Sequence, residues 1–321
     1  MDEGYSSLPG LRVQRLSYRD ISSLCSVADE VGWSFSPERM KTFLQSGCFW
    51  GHYANNGAVS SAAVFPLGEE LSAIGLVMVK PEYHRQGLGK SLVQLCLENM
   101  GAPAALLVAT EMGAPLYSKS GFTTINDVQR WIFSDTSSSS VVNTAHLEDT
   151  YSDYVFEPLC VHHIPSLEAL DYQFTGIRRH RILDAMTYRD DGNSLSGGPN
   201  RPNLASGVSG IVGLERGSRM FAGFTLVNQS TQQIQIGPVI ASSDDLAIQL
   251  LHHTVRLMKD LAGTAHPPFR VDVLAHHRSY TKLLEAEGWK LQKISPLMLY
   301  GSWNADLYSN HVYGLIDPAF G

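Results

Sequence analysis

The 321-residue sequence predicts an α/β protein built as two successive units, and three observations carry that reading. First, the apolar run Leu76-Val77-Met78-Val79 leads into a glycine-bearing loop, His84-Arg85-Gln86-Gly87-Leu88-Gly89-Lys90-Ser91, and then directly into an amphipathic segment. Second, about thirty residues on, another strand and helix end in Leu116-Tyr117-Ser118-Lys119-Ser120-Gly121-Phe122. Third, the second half carries a weak echo of both: Ile234 to Ile240 parallels the strand before the loop, and Tyr280 to Trp289 parallels Tyr117 to Phe122.

The elements follow in order. Residues 11–16 read as a strand. Helical spacing covers 18–31 and 37–44, with Ser36 as the N-cap of the second helix. Strands at 48–54 and 58–65 are joined by the turn sequence Asn55-Asn56-Gly57. The strand 74–79 feeds the glycine loop, and the following helix buries Leu92, Val93, Leu95, Cys96 and Met100. A strand at 104–109 comes next, and 123–133 is expected to close the sheet as a hairpin. The serine-rich stretch near Ser137-Ser138-Ser139-Ser140 predicts a linker at 136–152, dividing a unit of residues 1–135 from one of 153–321. In the second unit 172–186 reads as a helix and 189–210 as a loop. Paired strands at 220–227 and 233–240 precede a helix at 244–261, capped by Ala241-Ser242-Ser243. A strand at 270–274, a helix at 279–287 and a strand at 289–300 complete it.

Composition narrows the function classes. The formal net charge is −7 and no Lys/Arg-rich run occurs, which argues against nucleic acid as a partner and suits a cationic amine. The uncharged stretch 51–68 contains the Asn-Gly turn and reads as a hairpin, so no membrane association is expected. Cys25, Cys48, Cys96 and Cys160 are scattered, without a C-x-x-C pair, as in reduced cytoplasmic proteins. The opening Met1-Asp2-Glu3-Gly4 lacks a signal-peptide pattern. The pairs His162-His163, His252-His253 and His276-His277 are adjacent residues that do not share a face, and no metal site is expected from them.

A strand–loop–helix junction leaves backbone N–H groups unpaired at the positive end of a helix dipole, where a diphosphate can sit. The P-loop pattern requires a glycine where His84 stands, and the dinucleotide pattern requires one where Leu92 stands. Both fail. An ordinary turn remains the bland alternative for a short glycine motif.

Two motifs in order resolve it. His84-Arg85-Gln86-Gly87-Leu88-Gly89 followed by Leu116-Tyr117-Ser118-Lys119-Ser120-Gly121-Phe122 resembles the paired signatures of the GCN5-related N-acetyltransferase (GNAT) superfamily, although His84 stands where that family usually has Arg or Gln. The second half resembles the degenerate C-terminal half of tandem GNAT proteins through Asp171 to Arg179 (D-x-x-x-x-G-x-x-R), Ile236-Gly237-Pro238 and Met298-Leu299-Tyr300-Gly301. The resemblance implies two tandem domains with mixed central sheets flanked by helices, acetyl-CoA as co-substrate, and transfer to a small-molecule amine. It implies that Val77, Met78 and Val79 hold the pantetheine arm. It also implies that His84, Arg85, Gln86, Gly87, Leu88, Gly89, Lys90 and Ser91 cradle the pyrophosphate, and that Tyr117 protonates the departing thiolate.

Glu69 and Glu70 precede the central strand, and Glu70 is the candidate base; Glu111 or an ordered water are alternatives. Asp171, Arg178 and Asp272 are candidate acceptor-binding residues in the second unit. Asp244 and Asp245 replace the phosphate loop there, so a single acetyl-CoA site is expected. A non-catalytic acyl-CoA-binding sensor is the competing reading, and either a monomer or a homodimer is compatible with the sequence.

Overall fold

The computed structural model describes residues 10–54, 57–134, 152–187, 208–262, 266–304 and 306–321. Asn55 and Asn56 of the expected hairpin turn, nearly all of the expected linker, and most of the 189–210 loop lie outside the described residues.

The first unit runs β1 (Arg12–Leu16), α1 (Ile21–Glu30), α2 (Pro37–Ser46), β2 (Cys48–Ala54), β3 (Gly57–Ala58), β4 (Ser60–Pro66), β5 (Leu71–Val79), α3 (Leu88–Asn99), β6 (Ala104–Val108), α4 (Ala114–Lys119) and β7 (Thr123–Phe133). The second runs β8 (Tyr154–Pro158), α5 (Ile164–Thr175), α6 (His180–Thr187), β9 (Val208–Glu215), β10 (Phe221–Gln229), β11 (Ile234–Ala241) and α7 (Asp244–Ala262). It continues with β12 (Phe269–Leu274), α8 (Arg278–Ala286), β13 (Lys290–Tyr300), α9 (Asp306–His311) and β14 (Val312–Gly314). The caps are those the sequence suggests: Ser36 Oγ accepts from Arg39 N–H at 3.2 Å, and Ser243 Oγ from Leu246 N–H at 3.2 Å. The helix expected over 172–186 is broken, because α5 ends at Gly176 with φ +68°, a left-handed stop, and the chain restarts as α6.

The fourteen strands among the described residues join one mixed sheet whose main path is β1-β2-β4-β5-β6-β13-β7-β12-β11-β10-β9-β8. The expected hairpin at 123–133 is instead a single 11-residue strand, β7. It pairs with β12, setting Arg130 opposite Asp272, and with β13 on its other side. β13 in turn pairs with β6, setting Leu297 opposite Val108. Each unit thus lends its long late strand to a position beside the other unit's β6 or β12. Alternation identifies a strand but not its neighbour, which is why the sequence suggested a local partner.

Two gaps open in this sheet. β5 pairs with β6 only from Leu71 to Ala73, and β11 pairs with β12 only at Ile234 and Gln235. Beyond those points β14 enters the second gap, pairing antiparallel with β11, and Leu315 N–H donates to Asp272 C=O at 2.8 Å. The chain then crosses to the first unit, where Phe320 packs edge-on against Phe65 (4.7 Å) and tilted against Phe43 (5.4 Å). Glycines admit this crossing: a Cβ on Gly237 would meet Leu315 O at 1.9 Å, and one on Gly75 would meet Ala319 O at 2.0 Å.

Candidate active site

The glycine loop is built for an anion. After a single 3-10 turn at Pro81–Tyr83, Arg85 and Gly87 take left-handed φ values of +61° and +81°. The first helical bond of α3 runs from Ser91 N–H to Gly87 C=O at 3.0 Å, so the N–H groups of Leu88, Gly89 and Lys90 have no partner one turn back, and no side chain caps the end. A Cβ at Gly87 would meet nothing within 4 Å, so the space in front of the helix end is open. Leu88 is buried and anchors the loop, while His84, Arg85 and Lys90 are exposed around it. The His84 ring contacts Val79 C=O at 2.9 Å, tying the loop back to β5. Ser91 turns inward: its Oγ donates to Leu88 C=O at 3.0 Å and lies 3.3 Å from Nε2 of the buried His52, whose Nδ1 meets Ser60 Oγ at 2.8 Å.

β5 is distorted where it leaves β6. The β4–β5 register shifts between Ser61 and Ala63, and Leu76 in the resulting bulge has φ +51°, a strained value for a leucine. Ser61 Oγ donates to Leu76 C=O at 2.8 Å and holds the bulge. The bulge, Val77, Val108–Thr110 and Tyr117 line one side of a cavity of about 480 Å³. Tyr117 lies on α4, whose preceding Gly113 leaves room for the ring: a Cβ there would sit 2.9 Å from Tyr117 Cε2. Phe122 meets the tyrosine edge-on at 6.0 Å. Burial, with a smaller contribution from Cys96, pushes the Tyr117 hydroxyl well above the usual tyrosine range, so it stays protonated.

Comparison with known proteins places this geometry. Models of an acetyltransferase (GNAT) domain match twice, at residues 45–124 and 208–314. An uncharacterised N-acetyltransferase of Bacillus subtilis, YitH, is 27% identical over 314 residues, covering 96% of this chain and 97% of its own. A tandem GNAT protein from the clavulanic acid biosynthesis pathway superposes with a TM-score of 0.64 at 12% identity, over 92% of this chain and 100% of that one. The chain belongs to the GNAT superfamily, in its tandem form. A Pyrococcus horikoshii protein described as a candidate acetyltransferase shares the fold end to end, with a TM-score of 0.71 at 18% identity and 100% coverage of both chains.

The tandem GNAT fold sorts the remaining sequence candidates. Glu70 sits in the exposed turn before β5 and is not among the cavity-lining residues; Glu69 and Glu111 are likewise exposed and outside the lining. Asp171 is not among the cavity-lining residues: it is buried in a two-pronged ion pair with Arg179 (2.8 and 2.6 Å) across the Gly176 turn. Arg178 stacks over Tyr172 at 4.9 Å and also lies away from the cavity. Only Asp272 of the three reaches the cavity wall, and it is held by Arg130 and Arg270. The residues that sequence reasoning missed are the rest of that wall, among them Gly32–Phe35, Arg130, Arg270, Lys293, Ser295 and the Asp317–Ala319 crossing segment. The available signal was Arg270 and Asp272, two charges on one face of an otherwise apolar strand.

Motifs of the second half are structural. Gly237 admits the crossing chain, and Gly301, at φ +77°, turns against Pro103 O, which a Cβ would meet at 2.3 Å. Cys160 Sγ lies 3.6 Å from His162 Nε2 and 3.3 Å from His163 Nδ1, a grouping that the pairwise reading of histidines did not foresee. Cys160 N–H donates to His163 Nδ1 at 3.2 Å, so these contacts cap the 3-10 turn that opens α5. Among the described residues no helix is long and apolar enough to cross a membrane.

Proposed function

We propose that the chain is an acetyl-CoA-dependent N-acetyltransferase with one active site, in the first unit, acting on a small-molecule amine. The observation that carries it is a buried, protonated Tyr117 lining the same cavity as the Leu76 bulge, with the uncapped N-terminus of α3 beyond the end of the same strand. Acetyl-CoA supplies the thioester. The N–H groups of Gln86 to Lys90, with Arg85 and Lys90, suit its pyrophosphate, and the backbone of Val77–Val79 suits the pantetheine arm. The neutral amine attacks the thioester carbonyl, the C–S bond breaks, and Tyr117 donates its proton to the departing sulfur. The amine's proton leaves to water, because both carboxylates among the described cavity-lining residues are ion-paired and no histidine lines the cavity.

The test is CoA release across a panel of amines, with Tyr117→Phe beside the wild type. Turnover that falls about 10²-fold or more in Tyr117→Phe, with acetyl-CoA binding retained, is expected for a general acid. Binding of acetyl-CoA without turnover on any amine would leave a sensor and overturn the enzyme.

A further inference from the structure

A row of charged side chains runs through the lining of the cavity that Tyr117 shares and, at Arg39, just beyond that lining. Asp272, on β12, is 1% exposed; its Oδ1 accepts from Arg130 Nε at 2.8 Å and its Oδ2 from Arg270 Nε at 2.8 Å. Asp317 accepts from Arg39 Nη2 at 2.8 Å and from Ala319 N–H at 2.8 Å. Burial alone would raise its pKa, but the Arg39 and Arg270 guanidinium groups beside it more than offset that and hold the carboxyl below its ordinary range. The result is an alternating row, Arg39–Asp317–Arg270–Asp272–Arg130, with three cations to two anions. Lys293, opposite Arg130 in the β13–β7 register, adds another cation to the same cavity wall. No other acidic residue is among the described lining residues, and both carboxylates are engaged. Arg130 engages Asp272 through Nε, its side chain is 28% exposed, and it lines the cavity.

We infer that the amine substrate also carries an anionic group, a carboxylate or phosphate, held by Arg130 and Lys293 in the cavity that Tyr117 also lines. A polyamine meets an excess of positive charge there. A carboxylate or phosphate meets a planar fork whose orientation is fixed by Asp272 behind it. Because the fork and Tyr117 line one cavity of about 480 Å³, amine and anion belong to one small molecule. The inference rests on the acetyl-transfer reading of the site and narrows its substrate.

The experiment compares matched pairs as acceptors: an α-amino acid against its amide, and an amino-sugar phosphate against the free amino sugar, with spermidine as the polycation. Within at least one pair the anionic member is expected to have the higher kcat/KM, by about tenfold, the worth of one charge-assisted contact. Which pair responds tells carboxylate from phosphate. Arg130→Gln should erase that preference through KM. Lys293→Gln, an exposed change that leaves the buried row intact, should likewise weaken use of the anionic member. Neutral members or spermidine used as well as anionic ones would overturn the inference.

Calorimetric binding of the N-acetylated products of the same pairs reads the anion site apart from catalysis. If nothing turns over, the enzyme reading fails. A product preference for the anion that Arg130→Gln or Lys293→Gln removes still upholds the anion site, and equal binding of both products refutes it.

Discussion

Both units begin their central gap alike, with two parallel strands that pair for two or three residues and then part. In the first unit, Tyr117 lines a cavity and α3 begins without a side-chain cap. In the second, β14 lies in the gap, Leu284 stands where the first has Tyr117, and Tyr280, one turn earlier on α8, is fully buried with a hydroxyl that has no hydrogen-bond partner. Tyr313 of β14 meets Tyr280 edge-on at 5.2 Å, and burial, with Asp244 in the first turn of α7, pushes its hydroxyl above the usual tyrosine range. The second unit therefore fills with its own chain the places that the first leaves for a ligand. The difference lies in one strand and two carboxylates added to a shared scaffold.

The comparison can be broken at the two tyrosines. Tyr117→Phe should lower turnover about 10²-fold or more, whereas Tyr280→Phe should leave it unchanged, as steady-state kinetics of the two variants would reveal. Tyr280→Phe also removes a buried unpaired hydroxyl, so its chemical-denaturation midpoint should stay level or rise, by up to about 1 kcal/mol. A loss of turnover in Tyr280→Phe equal to that in Tyr117→Phe would place the chemistry in both halves.

Giving the first helix end the charge of the second is the next test. A Cβ at Gly89 makes only ordinary contacts, with Leu116 Cδ2 at 3.5 Å and Val79 Cγ2 at 3.8 Å, so Gly89→Asp is sterically admitted. The carboxylate should stabilise α3 by about 0.3–1 kcal/mol yet weaken acetyl-CoA binding at least about tenfold. Calorimetry and thermal melting should therefore move in opposite directions, and undiminished binding would remove the loop as the pyrophosphate site.

Glycines beneath the crossing chain should behave alike in the two halves. Gly237→Ala and Gly75→Ala each bring a Cβ against a carbonyl oxygen and should each cost about 1–3 kcal/mol by denaturant unfolding. Only Gly75→Ala, whose residue lines the cavity, should also raise KM for the acceptor.

The smallest effect is a pH dependence. Burial holds the His52 imidazole below its ordinary value of 6.5. The unfolded chain then binds a proton that the folded chain does not, so stability is full above about pH 6.5 and declines as pH falls through the interval below it. His52→Gln should flatten that interval in melts taken between about pH 5 and 7.

Much of this was legible because it is local. Caps at Ser36 and Ser243, the glycine loop and the Tyr117 helix each announce themselves within a few residues. What the sequence hid is non-local. The partners of β7 and β13 depend on which edges remain open after 290 residues, and the cavity wall gathers residues from Gly32 to Ala319. Asp171 and Arg178 read as ligand contacts because charged residues in a motif look functional, whereas Asp171 is spent within its own turn and Arg178 packs on Tyr172.

The exchange of β7 and β13 bears on how the chain comes into being. As it leaves the ribosome, the first half presents β6 with an open edge and β7 with no neighbour on either side until residues 269–300 follow. An open edge of this kind is a template for self-association, and pairings across such sequence distances form slowly. The first half thus waits for the second before its sheet can close. Neither half is a module that could be moved alone into another protein.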